Sequence, residues 1–306
     1  MSKVLVATEK PFAAVAVEGI RQVVEQAGYE FVLLEKYTDR AQLLAAVADA
    51  DALIIRSDKV DAQVLDAARN LKIVVRAGAG YDNIDLTAAT AHGVVAENTP
   101  GQNSNAVAEL VFGLTVMAAR NMYAGTSGFE LKGKHLGIQA FGQVGRNVAR
   151  IARGFGMDVA AFDPFCPDNV LEEAGVKPVH SVEELYADNL FVSIHIPATP
   201  QTVGSIGYDL ITRMPKGGVL INTARKEVID EAGLDRALAQ RTDLKYVADV
   251  RPAIAEELEQ KYAGRVFFTP KKMGAQTAEA NINAGIAAAN QVVAFLRDGI
   301  DRYRVN

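Results

Sequence analysis

Arginines and lysines standing where strands should end are the first residues of interest. Arg56-Ser57 follows the apolar run Ala52–Ile55, and Arg76 follows Lys72–Val75 and opens Arg76-Ala-Gly-Ala-Gly80. Thr223-Ala224-Arg225 follows Gly218–Asn222, Asp249 closes a run begun at Tyr246, and Thr269-Pro270-Lys271-Lys272 follows Val266–Phe268. The planar fork of arginine suits carboxylate and phosphate, so several in one cleft predict a small substrate with more than one anionic group. Gly78 and Ala79 add backbone amides near an expected helix start, which hold an anion without a full charge. Taken singly, each arginine reads equally well as a surface ion pair, the glycine run as a tight turn, and the lysine pair as solvated charge. Their joint placement is what points to a site.

A second pattern carries cofactor chemistry. The run His135–Gln139 leads into Ala140-Phe-Gly142-Gln-Val-Gly145, then a helical stretch through Arg153, then Asp158–Phe162 ending at Asp163. In a dinucleotide-binding βαβ unit the second glycine lets pyrophosphate approach the backbone, the third lets helix and strand pack, and the acid about 20 residues on takes the ribose hydroxyls. Asp163 favours NAD over NADP by repelling a 2′-phosphate. Ala140 stands where the first glycine belongs, which is acceptable only if the turn keeps φ negative there.

The elements that must position these residues are legible as β-branched runs alternating with alanine-rich amphipathic segments, the signature of parallel sheets wrapped by helices. The first series is Val4–Ala7, Phe31–Leu34, Ala52–Ile55, Lys72–Val75 and Gly93–Ala96. The second is His135–Gln139, Asp158–Phe162, Leu190–Ile194, Gly218–Asn222, Tyr246–Asp249 and Val266–Phe268. Asn103–Met122 reads as one long linking helix, a hinge or dimer surface, and Ala278–Leu296 as a helix returning to the first unit. With 306 residues, 49% apolar and 23% charged, the chain can build two such units, and a net charge of −5 without a basic block argues against nucleic acid or an anionic membrane as partner. Cys166 is the only cysteine, so no intrachain disulfide or cysteine-based metal site is expected, and a reducing cytoplasm fits.

On these residues the sequence resembles the NAD-dependent D-2-hydroxyacid dehydrogenases, closest to the branch acting on 3-phospho-D-glycerate at the start of serine biosynthesis. The resemblance rests on Arg56-Ser57, Arg76 to Asp85, Asn98-Thr-Pro-Gly101 with Val107-Ala-Glu109, Gly142 to Gly145, Asp163-Pro164, His195-Ile-Pro197 and Ile221 to Arg225. It implies an α/β fold of two Rossmann-like doubly wound parallel-sheet domains. The discontinuous, flavodoxin-like substrate domain would comprise residues 1–98 plus 286–306, and the NAD-binding domain residues 99–285. It implies a homodimer and, because the match ends with the catalytic core, a short form without a serine-binding regulatory domain.

By the same resemblance Arg225 binds the substrate carboxylate and carbonyl, while Arg56, Ser57 and Arg76 serve the phosphate end and Gly78 and Ala79 the carboxylate. The implied cofactor contacts are Val107, Gly142, Gln143, Val144, Asp163, His195, Pro197, Thr202, Thr223, Ala224 and Asp249, with no metal. The sequence departs from the family where the usual acid–base pair belongs. A glutamate is missing from Asp249-Val-Arg-Pro-Ala-Ile254, and Thr269-Pro-Lys-Lys-Met-Gly274 has no histidine. Lys272, or by the other alignment Lys271, then carries the proton, and Glu256 or Glu257 are the nearest replacements for the glutamate. Another D-2-hydroxyacid (glycerate, or a diacid) is the alternative substrate, and an NAD(H)-responsive co-regulator the alternative role.

Overall fold

A computed structural model describes residues 1–306 and divides them into two compact units, residues 1–103 with 276–306, and residues 104–275. Unit 1 runs β1 (Lys3–Thr8), α1 (Ala14–Gln26), β2 (Glu30–Glu35), α2 (Arg40–Val47), β3 (Ala52–Ile55), α3 (Ala62–Ala67), β4 (Ile73–Arg76), α4 (Leu86–Ala91) and β5 (Val95–Asn98). Unit 2 runs α5 (Ser104–Ala119), β6 (His135–Gln139), α6 (Gln143–Gly154), β7 (Asp158–Phe162), α7 (Asp168–Glu173), β8 (Lys177–Pro178), α8 (Val182–Asp188) and β9 (Phe191–Ile194). It continues through α9 (Tyr208–Ile211), β10 (Val219–Asn222), α10 (Glu231–Gln240), β11 (Lys245–Ala248), α11 (Ala255–Lys261) and β12 (Val266–Phe268), after which α12 (Ala278–Asp298) belongs to unit 1.

Both sheets are wholly parallel. Unit 1 has the strand order β2-β1-β3-β4-β5 and unit 2 the order β12-β11-β10-β9-β6-β7-β8, the two doubly wound arrangements expected. Central strands β3, β9 and β10 are buried along their whole length, as strands covered by helices on both faces must be. In such sheets ligands bind beyond the carboxyl ends of the strands where the order reverses, between β1 and β3 in one unit and between β6 and β9 in the other.

The expected boundaries at 98/99 and 285/286 are corrected to 103/104 and 275/276. The backbone after β5 stays with unit 1, where the Thr99 N–H donates to the Gly78 carbonyl at 2.9 Å. The last helix cannot be divided either, because α12 is unbroken from its Thr277 cap, whose Oγ1 accepts the Ala280 N–H at 3.1 Å, to Gly299 at φ 68°. It lies on α1 through a reciprocal pair of glycines. A Cβ on Gly285 would come within 2.9 Å of Ile20, and one on Gly19 within 3.0 Å of Ile286.

The linking helix ends at Ala119 rather than Met122. Asn121, Met122 and Tyr123 have φ of 50°, 54° and 56°, a left-handed turn that no right-handed helix can continue. Asn121, a residue type that tolerates this conformation, fixes it: its Nδ2 donates to Thr126 Oγ1 and the Ser127 carbonyl, and its Oδ1 accepts from Lys245 Nζ at 2.7 Å. The segment after α12 also closes the edge of the sheet at β5. Residues 303–306 run antiparallel to it, with the Val305 N–H on the Ala96 carbonyl at 2.9 Å and the Ala96 N–H on Asn306 Oδ1 at 2.9 Å.

Candidate active site

In unit 2 the chain leaves β6 through Ala140 and Phe141 and enters α6 at Gly142, its N-cap. The expectation of a negative φ at Ala140 is overturned: it sits at φ 80°. A Cβ in this left-handed region costs about 1–2 kcal/mol. The turn is held there by the Ala140 N–H on the Phe162 carbonyl at 2.9 Å and the Phe141 N–H on Asp163 Oδ2 at 2.8 Å. Gly142 differs: at φ −73° any residue is allowed, and a Cβ would meet nothing within 4 Å. Neither backbone nor packing requires glycine, so what it preserves is open approach to the first amides of α6, which no side chain caps. That is the space a pyrophosphate needs beside Gln143 and Val144. Gly145 is the packing glycine, since its Cβ would lie 2.4 Å from the Ala140 carbonyl oxygen. Asp163 is pinned by two amides, Phe141 on Oδ2 and Phe165 on Oδ1 at 2.9 Å, and each oxygen retains a lone pair for a hydroxyl.

Across the switch point the His195 N–H joins the Gln139 carbonyl at 2.9 Å. Its Nε2 lies 2.9 Å from Ser193 Oγ, and desolvation pushes the imidazole pKa down to about 3, favouring the neutral ring. The Thr202 hydroxyl, expected to contact the cofactor, has its proton committed within the protein. That group closes its own loop, donating to the Pro197 carbonyl at 2.5 Å and accepting the Thr199 N–H at 2.8 Å. Thr223 is the opposite case, buried with Oγ1 unpartnered, as a group waiting for a ligand would be.

Asn222 shapes the turn that carries Arg225. Its Oδ1 accepts the Ala224 N–H at 3.0 Å and its Nδ2 donates to the Arg225 carbonyl at 2.9 Å and to Tyr246 Oη at 3.3 Å.

Asp249, expected to touch the cofactor, is engaged with the lysine loop. Its Oδ1 accepts from Thr269 Oγ1 at 2.8 Å and the Met273 N–H at 2.6 Å, and its Oδ2 accepts the Gly274 N–H at 2.8 Å. A buried carboxylate needs such donors. These fix the two amides directly after Lys272, whereas Lys271 is one residue further from the clamp. Gly274 is forced by crowding, as its Cβ would lie 3.0 Å from Asp249 Oδ2 and 3.2 Å from Val107. Val107 is thus a wall of this loop. The expected substitutes for the missing glutamate lie on α11, where Glu257 pairs with Lys261, and Arg251 forks onto Glu259 at 2.9 and 2.8 Å.

In unit 1 the switch point holds Arg56. Its Nη1 donates to the carbonyls of Lys10 and Pro11 at 3.1 and 2.8 Å, and its Nη2 to Asn281 Oδ1 of α12 at 2.7 Å. Much of its donor capacity is therefore structural. Arg76 Nε donates to the Arg56 carbonyl at 3.0 Å, and the guanidinium lies over Gly78, where a Cβ would fall 1.6 Å from Nη1. The expected helix start beside Gly78 is absent: the next helix, α4, begins at Leu86 and is capped by the Asp85 side chain. The Gly78 amide is engaged as well, by the Arg76 carbonyl at 2.8 Å, leaving the Ala79 amide as the donor of that pair. Ser57 is exposed beside Arg56.

Sequence reasoning missed Asp58, which is buried and accepts from Tyr37 Oη at 2.7 Å, the Glu9 N–H at 2.7 Å and the Arg56 N–H at 3.3 Å. It ties the ends of β1 and β3 together. Its only trace in the sequence is an acid three residues past a strand end.

Residues 107–270, inside unit 2, match the family description "D-isomer specific 2-hydroxyacid dehydrogenase, NAD binding domain". The chain is 36% identical over 289 residues to a D-3-phosphoglycerate dehydrogenase of Methanocaldococcus jannaschii, covering 87% of this chain and 54% of that protein. It is 34% identical over 287 residues to a hydroxypyruvate reductase of Thermotoga maritima, covering 86% and 90%. A crystal structure of NAD+-bound 3-phosphoglycerate dehydrogenase from Entamoeba histolytica superposes with a TM-score of 0.88 at 46% identity, covering 100% of this chain and 98% of that one. The chain spans about half the length of the phosphoglycerate dehydrogenase relative from M. jannaschii. No helix is long and apolar enough to cross a membrane.

Proposed function

The chain belongs to the D-isomer-specific 2-hydroxyacid dehydrogenases and carries their NAD-binding domain, and from that premise we propose that it transfers a hydride between NAD and C2 of 3-phospho-D-glycerate, giving 3-phosphohydroxypyruvate and so feeding serine synthesis. The observation that carries this reading is the Asp249 clamp, which holds the loop bearing Lys272 in the unit that also carries the glycine turn. When bound, NAD supplies the hydride-accepting nicotinamide.

The residues fit that group. The open space at Gly142 and the first amides of α6, those of Gln143 and Val144, would receive its pyrophosphate, and Asp163 its ribose hydroxyls. Val107, His195, Pro197, Thr223 and Ala224 would border the rest, with the Thr223 hydroxyl gaining the partner it lacks. Within unit 2 we assign the substrate carboxylate to Arg225, and within unit 1 we assign anion binding to the Ala79 amide, Arg76, Arg56 and Ser57, the last three for the phosphate. Arg225 also polarises the carbonyl during reduction. Lys272 donates its proton to the carbonyl oxygen in reduction and takes the hydroxyl proton in oxidation.

Protonated at neutral pH, a lysine with a reference pKa of about 10.4 serves reduction directly and must first deprotonate for oxidation. Oxidation of 3-phospho-D-glycerate should therefore climb steadily from about pH 6.5 upward while reduction stays high near neutrality. An oxidation rate already level at the low end would remove lysine from the role. The decisive test is NADH oxidation with 3-phosphohydroxypyruvate on wild type, Lys272→Ala and Lys271→Ala. Loss of about 10²–10⁴-fold in kcat for Lys272→Ala with NADH still bound is expected, and little change for Lys271→Ala. Equal activity in the Lys272 variant refutes the assignment.

The likeness to a hydroxypyruvate reductase covering 90% of its length favours one rival substrate. It would be shown by a higher kcat/KM with unphosphorylated hydroxypyruvate. We assign the active species as a homodimer in a reducing cytoplasm, which light scattering and fractionation would check.

A further inference from the structure

Unit 1 contains a cavity of about 350 Å³ bordered by Glu97, Pro100, Ala287, Gln291, Ala294 and Arg302, away from every residue assigned above. Glu97 is 1% exposed. Its Oε1 accepts the Tyr303 N–H at 3.0 Å, and its Oε2 is buried without a partner. Gln291 Oε1, on α12, is also buried and unpartnered. Two residues that border one cavity thus each carry a buried acceptor without a protein partner, and one is a carboxylate.

Buried acceptors left in this way are costly, and a carboxylate more so than an amide. Burial and the nearby Asp301 charge raise the Glu97 pKa against the opposing pull of the Tyr303 amide. What the two oxygens lack is a donor, and one that carries positive charge would complement the carboxylate. A metal ion is poorly served by one carboxylate and one amide oxygen, since hard cations take 6–8 oxygen ligands. A primary ammonium carries three N–H donors and suits a carboxylate and an amide carbonyl together. Ala287, Ala294, Pro100 and Ile300 give the same cavity apolar walls for a short carbon chain, and Arg302 in its lining disfavours a second positive charge.

We propose that this cavity binds a small organic molecule with a single primary ammonium group, held by Glu97 and Gln291. Simple amines and zwitterionic amino acids share that chemistry. Pro100 and Gln102, also in its lining, belong to the segment through which the chain leaves unit 1.

Ligand-observed saturation-transfer NMR on the full chain tests this with n-propylammonium, its neutral isostere 1-propanol, and L-alanine. n-Propylammonium should bind in the millimolar range, as a probe of this size permits, and 1-propanol should not. Removing the charge in Glu97→Gln should weaken binding by about tenfold or more, the usual scale for a charge-assisted hydrogen bond. Ala287→Phe, which fills the cavity and leaves the Glu97 carboxylate in place, should abolish it and serves if the Glu97 variant does not fold. L-Alanine binding as tightly as the amine assigns the zwitterion as the natural class, and weaker binding assigns the simple amine. No saturation transfer from either ammonium probe, equal binding of 1-propanol, or undiminished binding in both variants would overturn the proposal.

Discussion

The turns after β4 and β6 have similar letters and opposite physics. Arg76-Ala-Gly-Ala-Gly80 and Ala140-Phe-Gly-Gln-Val-Gly145 both follow a buried parallel strand. After β6 the chain enters a twelve-residue helix directly, and Gly142, unstrained and facing open space, leaves the helix amides accessible. After β4 no helix follows at once, and Gly78 at φ 150° lies beneath the Arg76 guanidinium. One turn offers an anion aligned backbone dipoles, the other a side-chain charge laid across bent backbone. A glycine therefore has to be interpreted by what a Cβ would strike: a ligand's space in one turn, the protein's own cation in the other.

Three substitutions probe that contrast. The largest effect is expected from Gly142→Leu, which should weaken NADH binding by about a hundredfold, as several charge-assisted hydrogen bonds are lost, while urea unfolding of the ligand-free chain stays within about 0.5 kcal/mol of wild type. A stability loss matching the affinity loss would mean that the glycine serves the fold after all. Gly78→Ala should behave inversely. It should lose about 2 kcal/mol of stability from backbone strain and raise KM for the phosphorylated substrate by displacing Arg76, with the NADH dissociation constant unmoved; a changed NADH affinity would erase the distinction. The smallest effect is expected from Ala140→Gly. Relief of about 1–2 kcal/mol of left-handed strain, less about 0.5–1 kcal/mol for glycine's extra freedom when unfolded, should raise the urea midpoint slightly. A lower midpoint would show that Ala140 is not strained.

The strands and the ends from which chemistry emerges were legible because buried parallel strands are written as short apolar runs with an abrupt polar stop, as at Ala52–Ile55 before Arg56. β8 escaped because Lys177–Pro178 is two residues long and has no pattern to read. Side-chain destinations were not legible. Nothing in the spacing says that Asp249 reaches forward to Met273 and Gly274, that Arg56 is committed to Lys10, Pro11 and Asn281, or that Thr202 closes on Pro197, because each contact joins segments whose approach only the folded chain defines. The φ of Ala140 was misread for a related reason: local steric preference yielded to hydrogen bonds from Phe162 and Asp163, which lie a full βα unit further on.

The division of unit 1 across the chain bears on how the protein is made. During synthesis β1 to β5 leave the ribosome first, but the helix that covers Phe12, Ala16 and Ile20 emerges only after all of unit 2. The nascent first sheet must wait with an apolar face bare, and the β5 edge must wait for residues 303–306. Unit 2, continuous in sequence, can complete itself in the meantime and so acts as the loop whose closure delivers α12 to α1. Chaperone demand during translation should therefore fall on the segment that emerges first, and release should coincide with arrival of the Gly285 face against Ile20.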